Sequence, residues 1–370
     1  MRILIYGVNS QNKGAQLLLA TVAAKLETWG HVPVVSSRDV TPQSRREFRA
    51  IGMFSIERLG ALRSAGLDWL PRGTDPLLRV VGDGHFDYVL DASGFSLTDS
   101  WGMPPVTSRL ARLGRWSRRG IGFTMLPQAL GPFSRSDVAT GARKIADYAD
   151  SIWARDAVSR AHVAALGTPT PLATAPDITI GLPPRAIEKQ AQGKVVLVPN
   201  WNLAQRSGEG GREAYVSSLV ATARTLMRDG RTVVGMSHEG RRDLALISEV
   251  AANVEGMDVL DPKSGTECKA IIAGSDLVIA GRYHAIVSAL SCGVPAIGHS
   301  WSHKYAALME DFSVANGLAD PLRPEETIDR VRALDVAAEA TRLREIHDTV
   351  VSRLDSVWAQ VANSLDQHAR

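Results

Sequence analysis

The chain has 370 residues, 45% of them hydrophobic and 22% charged, which exceeds one ordinary core and excludes a disordered polyelectrolyte. A formal net charge of +3 is too small to point to nucleic acid by itself, and no nucleic-acid module is recognisable. The two cysteines, Cys268 and Cys292, stand in neither a CxxC nor a metal-ligand spacing, which argues against a disulfide framework and a zinc site and for a reducing compartment.

The start MRILIYG has no charged leader region and no long apolar one. The longest uncharged run, 283–303, is broken by Pro295, glycines and polar side chains, so no membrane span is expected and a cytoplasmic location follows. Arg2 to Tyr6 reads as a strand ending at Gly7, followed by a polar loop and a helix pattern in Leu17, Leu18, Leu19, Val22, Ala23 and Leu26. Gly30 stops that helix, and Val32 to Val35 is the next strand, the opening of a doubly wound domain. The loop NSQNKGAQ holds one glycine, Gly14, and lacks both the dinucleotide fingerprint and the Walker pair. It either presents backbone N–H groups, Asn12 and Lys13 to an anion at the helix start, or is a turn whose Gly14 allows close packing.

From Thr41 to Gly82 the pattern weakens, and irregular helices and loops are expected. Tyr88 to Asp91 is a strand leading into ASGFSLTDSWG, a loop at a carboxyl end that makes Asp91 and Asp99 carboxylate candidates, with turn or cap residues as the plain alternative. SRLARLGRWSRRG sets Arg109, Arg112, Arg115, Arg118 and Arg119 around Trp116, a solvated helix face or a peripheral contact with anionic headgroups at the inner face of the membrane. Gly120 to Leu126 is a strand ending in the turn PQALGPF, with Gln128 and Gly131 on the turn. Ser151 to Ala154 is a strand whose exit residue, Arg155, meets a helix beginning at Asp156; Arg155 is either an anion seat or half of an ion pair with Asp156 or another acid. Thr168 to Glu188, rich in proline, reads as a linker.

The same grammar then restarts. Strands at Lys194 to Val198 and Thr232 to Met236 alternate with helices at Ala214 to Met227, Arg241 to Ala251 and Ser264 to Ala273. In SDLVIAGRYHAIVSALSCGVPAIGHSWSHKY, a strand at Leu277 to Ala280 feeds a helix at His284 to Cys292 and a second strand at Val294 to Gly298. Arg282 and His284 follow the first strand, and His299, His303 and Lys304 the second. Three imidazoles and two cations at adjacent strand ends, with almost no acid nearby in sequence, point to an anionic ligand. Leu343, Ile346, Val350, Leu354, Val357, Val361 and Leu365 recur at steps of three or four, predicting one amphipathic helix over Ala337 to Gln367. The fold class is therefore α/β, two Rossmann-like domains facing a cleft, residues 1–180 and 190–335, with a long C-terminal helix in 336–370 packing back.

NKGAQLLL, LPQALGPF, IWARDAVS, the later PDI, GRYHAIVSALSCGVPAI and HKY, in that order, resemble the polysaccharide pyruvyltransferase family over Met1 to about Phe312. The resemblance implies a GT-B-like architecture with an acceptor side in the N-terminal domain and a phosphoenolpyruvate side in the C-terminal one. It implies transfer of the pyruvyl group of phosphoenolpyruvate to two hydroxyls of a saccharide, free or lipid-linked, forming a ketal and releasing phosphate in cell-surface polysaccharide or glycolipid synthesis. No cofactor or metal is implied.

Carried over residue by residue, the family's Arg-x-His element falls on Arg282 and His284, its downstream lysine on Lys304 and its arginine after the PQ-GP turn on Arg155. His284 is then the acid or a phosphate ligand, Arg282, Arg155 and Lys304 are anion clamps, and Asp91 or Asp99 is the hydroxyl-side base. Gln128, Lys13 and Asn12 complete the substrate-binding candidates. Two departures fall on the acceptor side: KGAQ at Lys13 to Gln16, where many members carry a GDEA-like sequence, and ASG at Ala92 to Gly94 in place of a glycine pair. Two other readings share the pattern. One is a GT-B glycosyltransferase using a nucleotide sugar, with Glu267 or Asp276 against the ribose; the other is a non-catalytic glycan-binding relative that keeps the cations without needing His284.

Overall fold

Runs that are apolar at nearly every position, such as RILIY, YVLD, KVVLV and LVIA, lack the alternation of a half-exposed strand and mark strands covered on both faces. All four become members of parallel sheets. The computed structural model describes residues 1–54, 80–82, 85–186, 190–206, 210–300 and 303–369. The chain divides into two compact units, one made of residues 1–10, 15–178 and 353–370, the other of 11–14 and 179–352.

In the first unit β1 (Arg2–Tyr6), β2 (Val32–Ser36), β3 (Ile51–Phe54), β4 (Val80–Gly82), β5 (Tyr88–Asp91), β6 (Gly122–Gln128), β7 (Ser151–Ala154) and β8 (Leu172–Thr174) form a sheet ordered β4-β3-β2-β1-β5-β6-β7-β8. Its strands run parallel, with α1 (Lys13–Thr28), α2 (Pro42–Glu47), α3 (Met103–Arg118), α4 (Ser136–Tyr148) and α5 (Ala157–Ala164) between them in sequence. The strand order reverses between β1 and β5, where Tyr6 pairs with Asp91. Two regular strands, β3 and the edge strand β4, lie with α2 in the stretch expected to be irregular; residues 55–79 of it are outside the described residues. The proline-rich linker expected from Thr168 also holds a strand, β8, paired with β7.

Burial corrects the basic surface expected around Trp116. Trp116 is fully buried, packed edge-on to Tyr6 and Phe86 and beside Phe123, and Arg109 is 2% exposed. The arginine and the indole that were to face headgroups belong to the core, which leaves only Arg118 and Arg119 of that set exposed. Among the described residues no helix is long and apolar enough to cross a membrane.

The second unit repeats the plan with β9 (Lys194–Val198), β10 (Thr232–Met236), β11 (Asp258–Leu260), β12 (Leu277–Ala280), β13 (Ala296–His299) and β14 (Leu318–Ala319), ordered β11-β10-β9-β12-β13-β14 and all parallel. Its helices are α6 (Trp201–Arg206), α7 (Gly211–Arg228), α8 (Gly240–Ala252), α9 (Gly265–Ala273), α10 (Tyr283–Ser291), α11 (His303–Asp311), α12 (Pro324–Ala333) and α13 (Val336–Ser352). The order reverses between β9 and β12, with Val198 opposite Ala280, so Asn200 and Arg282 leave the sheet at the same edge.

The helical tail is present, divided by a turn at Arg353–Leu354 into α13 and α14 (Asp355–Ala369). Its apolar stripe serves two cores. Leu343 and Val350 pack in the second unit, and Leu354, Val357, Val361 and Leu365 in the first.

Candidate active site

Arg282 is the non-helical residue that opens α10, at φ −100° and ψ 124°, so its side chain leaves the carboxyl end of β12 while its backbone starts a helix. Its guanidinium does not stand alone. Nε donates to Asp243 Oδ2 at 2.7 Å, Nη2 to Asp243 Oδ1 at 2.6 Å, and Nη1 to Glu239. Asp243, fully buried in the first turn of α8, also accepts from the backbone N–H of Trp201 at 3.1 Å and of Glu239 at 3.0 Å. Burial works against the guanidinium's charge, but the Asp243 carboxylate outweighs it and holds the pKa above the usual arginine value. The sequence setting of Arg282, with few acids near, is thus corrected by α8, which brings two carboxylates from 39 and 43 residues away.

Around this pair stand the other groups of the second unit. Asn12 Nδ2 donates to Glu239 Oε1 at 2.8 Å, and Lys13 Nζ, buried, lies 3.4 Å from the carbonyl oxygen of Ser237. Asn200 Nδ2 donates to the carbonyl of Gly281 at 2.7 Å, and Tyr305 donates its hydroxyl to the same carbonyl at 2.8 Å, so β9 and α11 both fix the turn that carries Arg282. Lys304 Nζ sits 5.7 Å from the centre of the Tyr283 ring and 5.5 Å from that of Tyr305, within cation–π range.

His284 is half-buried on the first turn of α10, its ring edge-on to Tyr283. Gly14 lies directly against it: a Cβ at position 14 would fall 2.2 Å from Nδ1 and 2.7 Å from Cε1. Of the two readings of the NKGAQ loop, close packing is therefore met at Gly14. Gly14→Ala is expected to push the imidazole aside and cut turnover by about 100-fold while the chain still folds, because ångström-scale misplacement of a reacting group has that scale of cost. Steady-state kinetics beside circular dichroism check it; unchanged turnover would remove the imidazole from the reacting set.

His299, grouped with the cations on sequence grounds, is buried at the end of β13 with Nε2 2.9 Å from Thr327 Oγ1. Burial pulls its pKa down to about 4, with only weak opposition from Asp320. An unfolded imidazole titrates near 6.5, so as pH falls below about 6.5 the unfolded chain binds a proton that the folded chain refuses. Stability is expected to drop between about pH 6.5 and 4, by of order 3 kcal/mol from this group. Urea midpoints across that window should show a shallower slope in His299→Gln than in the parent. His303 begins α11.

The first-unit candidates turn out to be engaged structurally. Asp91, fully buried, accepts from Arg109 Nε at 2.8 Å and from the backbone N–H and hydroxyl of Ser93. Arg109 further donates to Ser93 Oγ at 2.6 Å, Ser96 Oγ at 2.8 Å and the Pro105 carbonyl at 3.1 Å. A carboxylate so neutralised is a poor solvent-facing base. Asp91→Ala should leave Arg109 buried without its counter-charge and cost about 3–5 kcal/mol of stability by urea unfolding, whereas an exposed base would cost under about 1 kcal/mol. Asp99 accepts from the backbone N–H groups of Ser134 at 2.6 Å and Arg135 at 3.3 Å, tying two loops together.

Gln128 is not on a turn but at the end of β6, fully buried, its amide facing the carbonyls of Asp91 at 3.4 Å and Leu126 at 3.3 Å. Arg155 Nη1 donates to Asp177 of the PDI motif at 2.9 Å, both side chains buried. Asp156 is occupied elsewhere, capping α5 through the N–H of Ser159. The ion-pair reading of Arg155 is met, with a partner 22 residues on.

Glu267 and Asp276, the ribose candidates of the nucleotide-sugar reading, are placed otherwise. Glu267 is engaged at the start of α9, its N–H donating to the N-cap Ser264 Oγ at 3.1 Å and its carboxylate accepting from the N–H of Lys263 at 2.6 Å. Asp276 is exposed and precedes β12, at the amino end of the sheet, opposite to Arg282. Sequence reasoning passed over His238, Glu239 and Asp243; the run SHEGRRD leaves β10 at its carboxyl end, and that position was the available signal.

A model of the family described as polysaccharide pyruvyl transferase matches residues 12–303, most of the chain, Arg282 and His284 included. The chain belongs to this family. As a family member it is a transferase. No curated protein matches it. Among solved structures it is similar to the UDP-GlcNAc 2-epimerase of Neisseria meningitidis bound to UDP-GlcNAc, at 11% identity and a TM-score of 0.62, covering 98% of this chain and 100% of the other. It is also similar to HepE of Anabaena in complex with UDP-glucose, at 14% identity and 0.61 over 99% and 100% of the two chains. Spinosyn rhamnosyltransferase SpnG matches at 12% identity and 0.55, over 97% and 99%. At such identities these likenesses concern the fold, the GT-B type with two parallel-sheet α/β domains.

Proposed function

We propose that this family member transfers the pyruvyl group of phosphoenolpyruvate to two hydroxyls of a saccharide acceptor, forming a ketal. Protonation of the donor's methylene carbon makes a methyl group and an oxocarbenium-like centre at C2, which one hydroxyl attacks. The C2–O bond to phosphate breaks, phosphate leaves, and the second hydroxyl closes the ketal. Of the two hydroxyl protons released, one balances the proton given to carbon and the other leaves with phosphate.

The observation that carries the reading is the grouping, within one unit and at its sheet's reversal point, of Lys13, Arg282, His284 and Lys304. A donor with a carboxylate and a phosphate needs such cations. His284 is the acid or a phosphate ligand, Lys13 and Lys304 are point charges, and Arg282 is a guanidinium pinned by Asp243 and Glu239. Asp91 is not assigned as the hydroxyl-side base, since Arg109 neutralises it. A nucleotide-sugar donor, as in the similar structures bound to UDP-sugars, is disfavoured by the occupied Glu267 and the distant end taken by Asp276.

Thermal unfolding with phosphoenolpyruvate, UDP-glucose or GDP-mannose tests the donor, because a ligand at 100 times its Kd adds about 2.7 kcal/mol to the folded state. A shift with phosphoenolpyruvate alone, lost in Lys304→Ala, is expected. A shift with a nucleotide sugar alone overturns the proposal.

A further inference from the structure

His238 is a buried titratable group of this neighbourhood that the proposed chemistry leaves unused. It follows β10, is 3% exposed, and its Nε2 has no hydrogen-bond partner among the described residues. Buried polar atoms are nearly always paired, so such a nitrogen calls for a partner of its own. Both sequence neighbours already touch the site: the Ser237 carbonyl accepts from Lys13, and Glu239 accepts from Arg282 and Asn12. Backbone continuity therefore holds the ring among the groups that gather the cations.

The cations facing it come from two places in the chain. Lys13 belongs to the 11–14 segment, and Arg282 and His284 to the junction of β12 and α10; all three act on His238 in the same sense. The carboxylates around it are committed elsewhere, Glu239 and Asp243 to Arg282, and Asp261, beyond β11, to Ser237 and Lys263. Burial first, and then these cations, keep the imidazole neutral well below its ordinary range.

We propose that His238 is a ligand-binding residue of this site, whose Nε2 meets an oxygen of the anionic donor and whose ring takes up a proton from solvent as that anion binds. The inference rests on the donor reading above. With no anion bound, Lys13, Arg282 and His284 oppose a charge on the ring. An anion of two or three charges reverses the local potential, and the resulting N–H···O contact is charge-assisted, the stronger kind. The ring thus adds a cation only when one is needed.

The test reads the ring itself. The full chain is labelled with 13C at histidine Cε1, and the His238 signal is the one missing from His238→Gln, or from His238→Asn should the glutamine variant not fold. Without ligand that signal is expected to keep its neutral position well below the ordinary imidazole range, and with saturating phosphoenolpyruvate to titrate with its midpoint raised. His284→Gln should leave this movement in place, and His238→Gln should raise the KM for the donor about tenfold with a smaller change in kcat. Phosphoenolpyruvate that binds and leaves the His238 signal unmoved overturns the inference. Sulfate, which does not titrate in this range, separates the two readings: movement with sulfate but no binding of phosphoenolpyruvate keeps His238 as an anion ligand and removes the donor assignment. Movement with neither ligand removes His238.

Discussion

Arg282→Ala is expected to lower the unfolding free energy by about 3–5 kcal/mol and to abolish turnover, the largest combined effect at any position of the second unit. The loss of stability comes from what the substitution leaves behind. Asp243 is fully buried and would keep only the backbone N–H groups of Trp201 and Glu239 as donors, with its counter-charge gone. Glu239 would lose its cation in the same step and keep the Asn12 amide. Removing one partner of a buried pair costs more than removing both, so Arg282→Ala with Asp243→Ala should recover part of the loss, and the double-mutant cycle should show a coupling of about 0.5–3 kcal/mol. Urea unfolding of the two single variants, the double variant and the parent decides it. A single variant within about 0.5 kcal/mol of the parent would mean that the guanidinium is held for a ligand and not by the carboxylates. Lys304→Ala is a second probe of donor binding, because Lys304 lies over the Tyr283 and Tyr305 rings and not in the Asp243 pair.

His284→Gln is expected to cut kcat by about 10²–10⁴-fold, the range for loss of a positioned proton donor, while thermal stabilisation by phosphoenolpyruvate persists. The side chain is half-buried at a helix start, so its replacement should change unfolding free energy by under about 1 kcal/mol. Phosphate release dependent on phosphoenolpyruvate, measured beside the thermal shift, separates the roles. Lost turnover with retained binding assigns the acid; lost binding makes His284 a phosphate ligand; turnover at the parental rate ends both assignments and leaves Lys13 and Lys304 as the reactive set.

Much of the site was legible as position and little of it as partnership. Strand-end logic found Arg282, His284, Lys13 and Asn12 because the alternation of apolar runs and helix starts shows where parallel strands stop. It passed over His238, Glu239 and Asp243, which the same logic reaches at the end of β10, since their run reads as an ordinary polar junction. Asp91, Arg155 and Asp99 were found as polar residues at strand ends or in their loops, and each proved to be held by protein groups. An arginine at such an end looks the same in sequence whether a ligand or a carboxylate faces it.

Sequence by itself determined the α/β class, the two repeats of strand and helix, most strand boundaries and the apolar stripe of the tail. These are local properties: side-chain period, helix caps and the absence of charge in buried strands act over a few residues. Only the tertiary structure decided that Asp91 meets Arg109, Arg155 meets Asp177 and Arg282 meets Asp243, pairs 18, 22 and 39 residues apart. It alone divided the tail at Arg353–Leu354, where the stripe stays in phase and the core it packs against changes. Pairing and burial depend on which strand ends the sheet order places side by side, and that order is set by crossovers whose energetics no short window of sequence contains.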